Sequence, residues 1–394
     1  MYTFTASRIN EVHKKLVFRL VWKNKSLSRT QIGSFFGFSK STVSQIVKEL
    51  IAENLLIESG RAKSSVGKKP VLLSINPDGP RLIGSLVKDS GEIAAALISL
   101  NGSILHKESC TARDASPNQV AREVVHLIQK VLQNFPQENI LGIGIGVPGI
   151  VHHKQGTIEY SAHFSWKNLP FLEMVKEYLL KNVPVVIDNR TIAATLGEMW
   201  FGLAQENKNF VCINCGEALG MGIVIEERVY RGAEDGAGEV GHIVLDNSQE
   251  SCFCGKKGCL ETSIALPKIM EKLNGKNYYD TETAVQILTE KRKESKVKKS
   301  LEDAFLRLGD LAAVVVNILA PEKVVFTGAL TQVDPLLLLE KVKERLNERA
   351  LEPLAKKVKL TISPLQRDKE VLWGAALVME HLFNLYEFTK EDTK

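Results

Sequence analysis

Apolar residues recur at helical spacing through the first fifty positions, and short strand-like runs follow them. From Arg8 to Leu20, the apolar positions Ile9, Val12, Leu16 and Leu20 mark one face of an amphipathic helix. A second helix starts at Ser28, where Ser28-Arg-Thr-Gln31 has the form of a capping box, and runs to about Phe36. Gly37-Phe38 predicts a tight turn. A third helix opening at Ser39 aligns Val43, Ile46, Val47, Leu50 and Ile51 on one face and Lys40, Ser41, Ser44, Gln45 and Lys48 on the other. Beyond Leu55-Leu-Ile57, the segment Glu58 to Leu73 contains Gly60, Gly67 and Pro70, with Arg61, Lys63, Lys68 and Lys69 between two apolar ends, the pattern of a basic β-wing.

From residue 81 the period changes. Leu82 to Val87, Ile93 to Leu100 and Ser103 to Cys110 read as strands, separated by turns at Asp89-Ser-Gly91 and Asn101-Gly102. A helix from about Pro117 to Phe135 precedes the apolar strand Ile140 to Val147, which ends in Pro148-Gly149. The strand Val183 to Ile187 leads into a helix from Arg190 to Phe201. Strands follow at Phe210 to Cys215, Leu219 to Glu226 and Val229 to Arg231, then a long apolar helix at Leu301 to Leu319 and a strand at Lys323 to Thr327. Strands alternating with helices predict sheets covered by helical layers, in two similar α/β halves.

The length of 394 residues and 44% hydrophobic composition allow two or three domains with proper cores. No run of about 18 apolar residues and no leader pattern is present, so the expected compartment is the cytoplasm, and six cysteines fit a reducing setting better than a disulfide framework. The net charge of +5 conceals an asymmetry: residues 1–80 carry 13 Lys+Arg against 5 Asp+Glu, a net of +8, and the remainder is net −3. A basic head on a slightly acidic body suggests a polyanion-binding module. Helix, capped helix, turn, polar-faced helix and basic wing form in that order a winged helix-turn-helix. Gln45 suits an adenine edge, and Lys40 or Lys48 a phosphate. The plainer alternative is a helical cap whose charges only face solvent.

The densest chemistry lies between Glu239 and Glu261. His242, Cys252, Cys254 and Cys259 fall within 18 residues, and Gly255 and Gly258 let the chain turn between the cysteines. Four N/S ligands predict a closed, structural zinc site. Packing as small apolar residues fits Cys110, Cys212 and Cys215, which stand alone in apolar stretches, better than it fits this cluster among glycines and lysines. Zinc needs neither Glu239 nor Glu261, which remain free to bind something else or to be surface charges.

Glu239-x-Gly-His242 with Cys252-x-Cys254-Gly-x-x-Gly-Cys259-x-Glu261 resembles the signature of the ROK family, and the similarity covers nearly the whole chain. That family unites repressors and sugar kinases on the two-lobed, actin-like, ribonuclease-H-like fold. The head, ending in Gly67-Lys-Lys-Pro70, looks like that of its xylose-repressor and related regulator branch. The resemblance implies that Glu239, His242 and Glu261 line a sugar pocket, with His242 also a zinc ligand, and carboxylates suit paired bonds from sugar hydroxyls. Asn189 is expected to join them, and Arg190 to add a hydroxyl donor.

Kinases of the family need an aspartate as general base after the asparagine that here is Asn189. This chain has Arg190 there, a cation that cannot take a proton at neutral pH. Val87-Lys-Asp89-Ser90-Gly91 replaces the first phosphate loop, Gly216-Glu217-Ala218 replaces Gly-Thr-Gly, and the third glycine cluster is Thr327-Gly328-Ala329. Glu217 would oppose nucleotide phosphates. We therefore expect a winged helix-turn-helix over residues 1–78, a first lobe over 79–190 completed by a C-terminal helix at 370–388, and a second lobe over 191–369 with the zinc loop, sugar site and dimerisation surface. The expected partners are operator DNA, a small sugar effector (xylose or glucose first), and a second copy in a homodimer or dimer of dimers, with no ATP. The alternatives are an ATP-dependent sugar kinase and a regulator sequestered by a transporter protein.

Overall fold

The computed structural model describes residues 6–61, 70–179, 183–245, 248–275 and 280–385. The first helix, Ala6–Asn24, is longer at both ends than its apolar spacing predicts. Helices Arg29–Phe36 and Lys40–Ala52 follow, joined at Gly37, whose φ of 71° is the left-handed conformation that glycine adopts without strain. Both sides of the capping box form: Ser28 Oγ accepts from Gln31 N, and Gln31 Oε1 accepts from Ser28 N. Strands Leu56–Arg61 and Val71–Ile75 pair antiparallel, and Leu27–Ser28 adds a short third strand beside Val71–Ile75.

Two five-stranded sheets make the body, and they share one topology. In the first, Arg81–Val87, Glu92–Ser99 and Ile104–Thr111 run as an antiparallel meander; Ile140–Val147 and Val185–Asn189 then extend it in parallel. In the second, Phe210–Cys215, Leu219–Ile225 and Arg228–Tyr230 form the meander, and Lys323–Thr327 and Lys359–Ile362 the parallel extension. All residues of Arg81–Val87 and Phe210–Cys215 are buried, as strands covered on both faces require.

Helix Pro117–Asn134 covers one face of the first sheet and Val371–Phe383 the other. The second of these sits so close that a Cβ at Gly374 would lie 2.6 Å from Ser85 N. It stops at Phe383, short of the expected 388, and residues 386–388 lie outside the described residues. The strand expected at Val183 to Ile187 lies two residues later, because parallel pairing with Ile140–Val147 carries it on to Asn189 opposite Val147. Residues 150–169, where no period is evident, form a three-stranded antiparallel sheet at the cleft.

The first helix is not held at a distance by a linker. Phe18 stacks on Phe383 with centroids 3.8 Å apart, and Trp22 meets Trp200 and Phe201 edge-on at 5.6 and 5.5 Å. Trp22 Nε1 donates to Trp200 O at 3.0 Å, so the indole is satisfied as it packs. One continuous core runs from Val17, Phe18 and Val43 in the head to Trp200, Trp373 and Phe383 in the body. No described helix is long and apolar enough to cross a membrane.

Candidate functional site

Between the lobes lies a cavity of 370 Å³ lined by Asp89, His163, Asn189, Arg190, Glu239, His242 and Glu261, among others. It has room for a single small polar ligand. Strand Val185–Asn189 and the start of helix Arg190–Trp200 deliver Asn189 and Arg190 from the first lobe, and the turn Val240–His242 and the short helix Glu261–Ile264, on either side of the Cys loop, deliver Glu239, His242 and Glu261 from the second.

The Cys loop folds as its glycines dictate. Gly255 and Gly258 have φ of 85° and 76°, and a Cβ at Gly258 would lie 2.6 Å from Ser248 O. Ligand atoms of His242, Cys252, Cys254 and Cys259 all lie within 4.8 Å of one another. Cys254 Sγ is 3.6 Å from Cys259 Sγ, and Cys252 Sγ is 3.7 Å from His242 Nδ1. A tetrahedron with zinc–sulfur bonds of about 2.3 Å has edges of about 3.8 Å. The donor set and its spacing therefore fit a tetrahedral zinc ion. His242 turns Nδ1 toward the sulfurs and Nε2 toward Glu239, whose Oε2 is 4.0 Å away, so one ring can serve both sites.

The two carboxylates differ. Glu261 is buried, and its Oε2 accepts from Leu219 N at 3.1 Å. Glu239 is 41% exposed, but into the cleft. Burial among the cleft walls, with Glu261 nearby, pushes its carboxyl up to about 7. A hydroxyl-rich ligand can supply the donors that this carboxylate lacks.

Asn189 is largely occupied. Its Oδ1 caps helix Arg190–Trp200 by accepting from Thr191 N at 2.7 Å and Ile192 N at 3.1 Å, and its Nδ2 donates to Gly149 O at 2.6 Å. One amide hydrogen is left for a ligand. Arg190 is occupied too: it is hydrogen-bonded to Asp89 Oδ2 and lies 3.7 Å from Glu217 Oε2. Burial works against its charge, but Asp89, Glu217 and Glu370 outweigh it and raise the guanidinium above its ordinary value. Glu217 also accepts from Ser90 N at 2.9 Å, so the chain's own carboxylate takes the amide of the Asp89-Ser90-Gly91 turn. Glu217 is therefore a paired charge, beside Arg190 and the Ser90 amide.

Sequence reasoning missed a second tie across the cleft. Arg231 Nη2 reaches Asp188 Oδ2 at 2.6 Å, and Asp235 Oδ1 meets His153 Nδ1 at 2.7 Å. Asp188 lies near the end of a parallel strand, Arg231 follows the strand Arg228–Tyr230, and His153 and Asp235 lie in turns, so only the fold brings them together. On the head, Lys40, Ser41, Ser44, Gln45 and Lys48 are all exposed on helix Lys40–Ala52, with Gln45 Nε2 3.2 Å from Glu49 Oε1. Arg61 is exposed at the end of its strand; Lys63, Lys68 and Lys69 lie outside the described residues.

The profile of the ROK family matches residues 90–381. The chain is 32% identical to a xylose repressor of Caldicellulosiruptor bescii over 398 aligned positions, covering 96% of this chain and 98% of that one. It is 23% identical to the DNA-binding transcriptional dual regulator NagC of Escherichia coli, covering 95% of this chain and 94% of that one. Among solved structures, a ROK family transcriptional regulator homologous to the E. coli MLC protein superposes with a TM-score of 0.80 at 24% identity, covering 96% of this chain and 97% of that one. A ROK family glucokinase from Streptomyces griseus, solved with glucose and AMPPNP, superposes with a TM-score of 0.66 at 20% identity, covering 75% of this chain and 98% of that one.

Proposed function

This chain belongs to the ROK family, and from that premise we propose that it is a sugar-responsive transcriptional repressor whose kinase-like body binds sugar without phosphorylating it. One observation carries the reading: Arg190, paired with Asp89 and Glu217, fills the place of the general base, while Glu239, His242 and Glu261 still face an open cavity. An arginine held charged cannot accept a hydroxyl proton.

The head is a winged helix-turn-helix in this reading. Helix Lys40–Ala52 enters the major groove with Ser41, Ser44 and Gln45 toward base edges, while Lys40, Lys48 and Arg61 meet phosphates. Lys63, Lys68 and Lys69 belong to the same basic wing. Zinc, held by His242, Cys252, Cys254 and Cys259, is structural, because four protein ligands leave no open position. It fixes the pocket wall that carries Glu239 and Glu261, while Asn189 gives its remaining amide hydrogen. Two heads on a palindromic operator require a dimer or a dimer of dimers. Exposed Val314, Ile318 and Leu351 support a self-association face on the second lobe, where Asn317 Oδ1 holds Leu351 N at 2.9 Å. The reading places the protein in the cytoplasm, with xylose or glucose as first candidate effectors.

Titrating sugars into a labelled operator complex tests the proposal, with ADP release measured in parallel. The expected result is sugar-dependent change in operator binding with no sugar-dependent ADP release. Turnover of ATP with sugar would favour the kinase alternative.

A further inference from the structure

His163 belongs to no motif of the sequence. It sits in the turn between strands Thr157–Ser161 and Trp166–Leu169, and its side chain, 16% exposed, lines the same cavity as Glu239 and His242. Its Nδ1 lies 3.3 Å from Asp89 Oδ1, and the other oxygen of Asp89 takes Arg190. Asp89, itself 5% exposed, thus holds Arg190 with one oxygen and lies beside the imidazole with the other. Its ring centroid is 4.6 Å from that of Phe253, which stands between two cysteines of the closed loop and carries Lys268 Nζ 5.2 Å from its own centroid.

This arrangement leaves one group unexplained. His163 Nε2 is buried and has no hydrogen-bond partner among the described residues. Buried polar atoms are nearly always paired, and leaving one unpaired is costly. Where the proton sits on Nδ1, which faces Asp89 at 3.3 Å, Nε2 is left as an acceptor, and a hydroxyl is the complementary donor. The preorganisation around it, an arginine holding an aspartate that lies beside an imidazole, is the kind that orients a functional ring.

We propose that His163 is a specificity-determining effector-binding residue: its Nε2 accepts a hydrogen bond from one hydroxyl of a neutral monosaccharide, and Arg190 with Asp89 positions it. The inference rests on the sugar-binding reading above and adds to it a contact from the first lobe. Residues standing at the lost catalytic centre thereby acquire a role in recognition. A site built to bond a hydroxyl strongly rejects the analogue that lacks it, because its own polar group is then left unpaired.

The test is calorimetry of the full-length protein with D-xylose, D-glucose, other neutral pentoses and hexoses, and the monodeoxy derivatives of whichever sugar binds best. Wild type, His163→Phe and His163→Gln are compared, with sugar-free operator affinity measured alongside. His163→Phe should weaken the parent sugar by roughly tenfold or more. One monodeoxy sugar should bind His163→Phe and wild type equally, and His163→Gln, which can place a polar atom near Nε2, should recover part of the loss. Wild-type affinity of His163→Phe for the parent sugar would overturn the proposal, as would an equal loss with every deoxy analogue, the mark of a structural role. Wild type binding none of the panel would overturn the sugar-sensing reading, and this proposal with it.

Discussion

In the proposed reading, the cation at position 190 weighs more than any gap in the glycine loops. Arg190 has a side chain only 12% exposed, is held by Asp89 and lies near Glu217, and its protonated form is favoured by the carboxylates of Asp89, Glu217 and Glu370. The exchange at position 190 is visible in the sequence. The pairing is not, since Asp89 and Glu217 lie 101 and 27 positions away and only the two-lobed fold brings them near. The clustering of His242 with the three cysteines is legible because their local spacing brings them together. Asn189 shows the reverse case: its amide mainly serves as a helix cap. At this scale Glu239→Gln keeps the shape of the pocket but weakens charge-assisted bonds to hydroxyls. The variant should bind operator normally and fail to respond to sugar, and an undiminished response in the labelled-operator titration would place the signal elsewhere. Cys254→Ser should lower zinc per chain, measured by elemental analysis, and lower the melting temperature. Metal-free wild type, with no shift in the variant, would remove the zinc assignment.

Among the elements, helix Lys40–Ala52 divides by face. Val43, Ile46, Val47 and Leu50 are buried, and the five polar residues predicted for DNA are exposed. Gln45→Ala should relax preference at one operator position, at a cost of about 1–3 kcal/mol, whereas Lys48→Ala should weaken all sequences alike and flatten the salt dependence. Footprinting and salt titration distinguish the two. The amphipathic helices and the buried strands are legible because one period governs each. The small sheet over residues 150–169 is not, since its strands are short and joined by irregular turns. Helix Val371–Phe383 depends on close approach to the first sheet: a Cβ at Gly374 would meet Ser85 N at 2.6 Å and Gly144 O at 2.7 Å, both backbone. Gly374→Ala should destabilise the protein by about 1–3 kcal/mol in denaturant unfolding, and an unchanged midpoint would mean that the helix can shift outward freely.

For the molecule as a whole, coupling requires that sugar bind the operator-competent and released conformations unequally, and operator must then change sugar affinity by the same factor. Helix Arg190–Trp200 supplies a physical connection. Its first residue is Arg190 in the cleft, and its last, Trp200, meets Trp22 of the head; eleven residues span about 16 Å. Along this length Gly197 lies against Trp373, and Gly220 and Gly222 lie against Thr191 and Thr195, so the helix moves only with its neighbours. Trp22→Leu should therefore leave sugar affinity and sugar-free operator affinity near wild type but bring the coupling factor toward one. An unaltered factor, measured by titrating sugar with and without operator, would show that the signal takes another route.

The core that joins Val17, Phe18 and Trp22 to Trp200 and Phe383 also constrains descent. A recombination event that brought in a different head would have to match those aromatic shapes or leave Phe383 and Trp200 without cover. Exposed side chains on helix Lys40–Ala52 carry no such debt to the body. In the proposed reading, new operators are therefore reached by point substitution on that one helical face, while head and body change together.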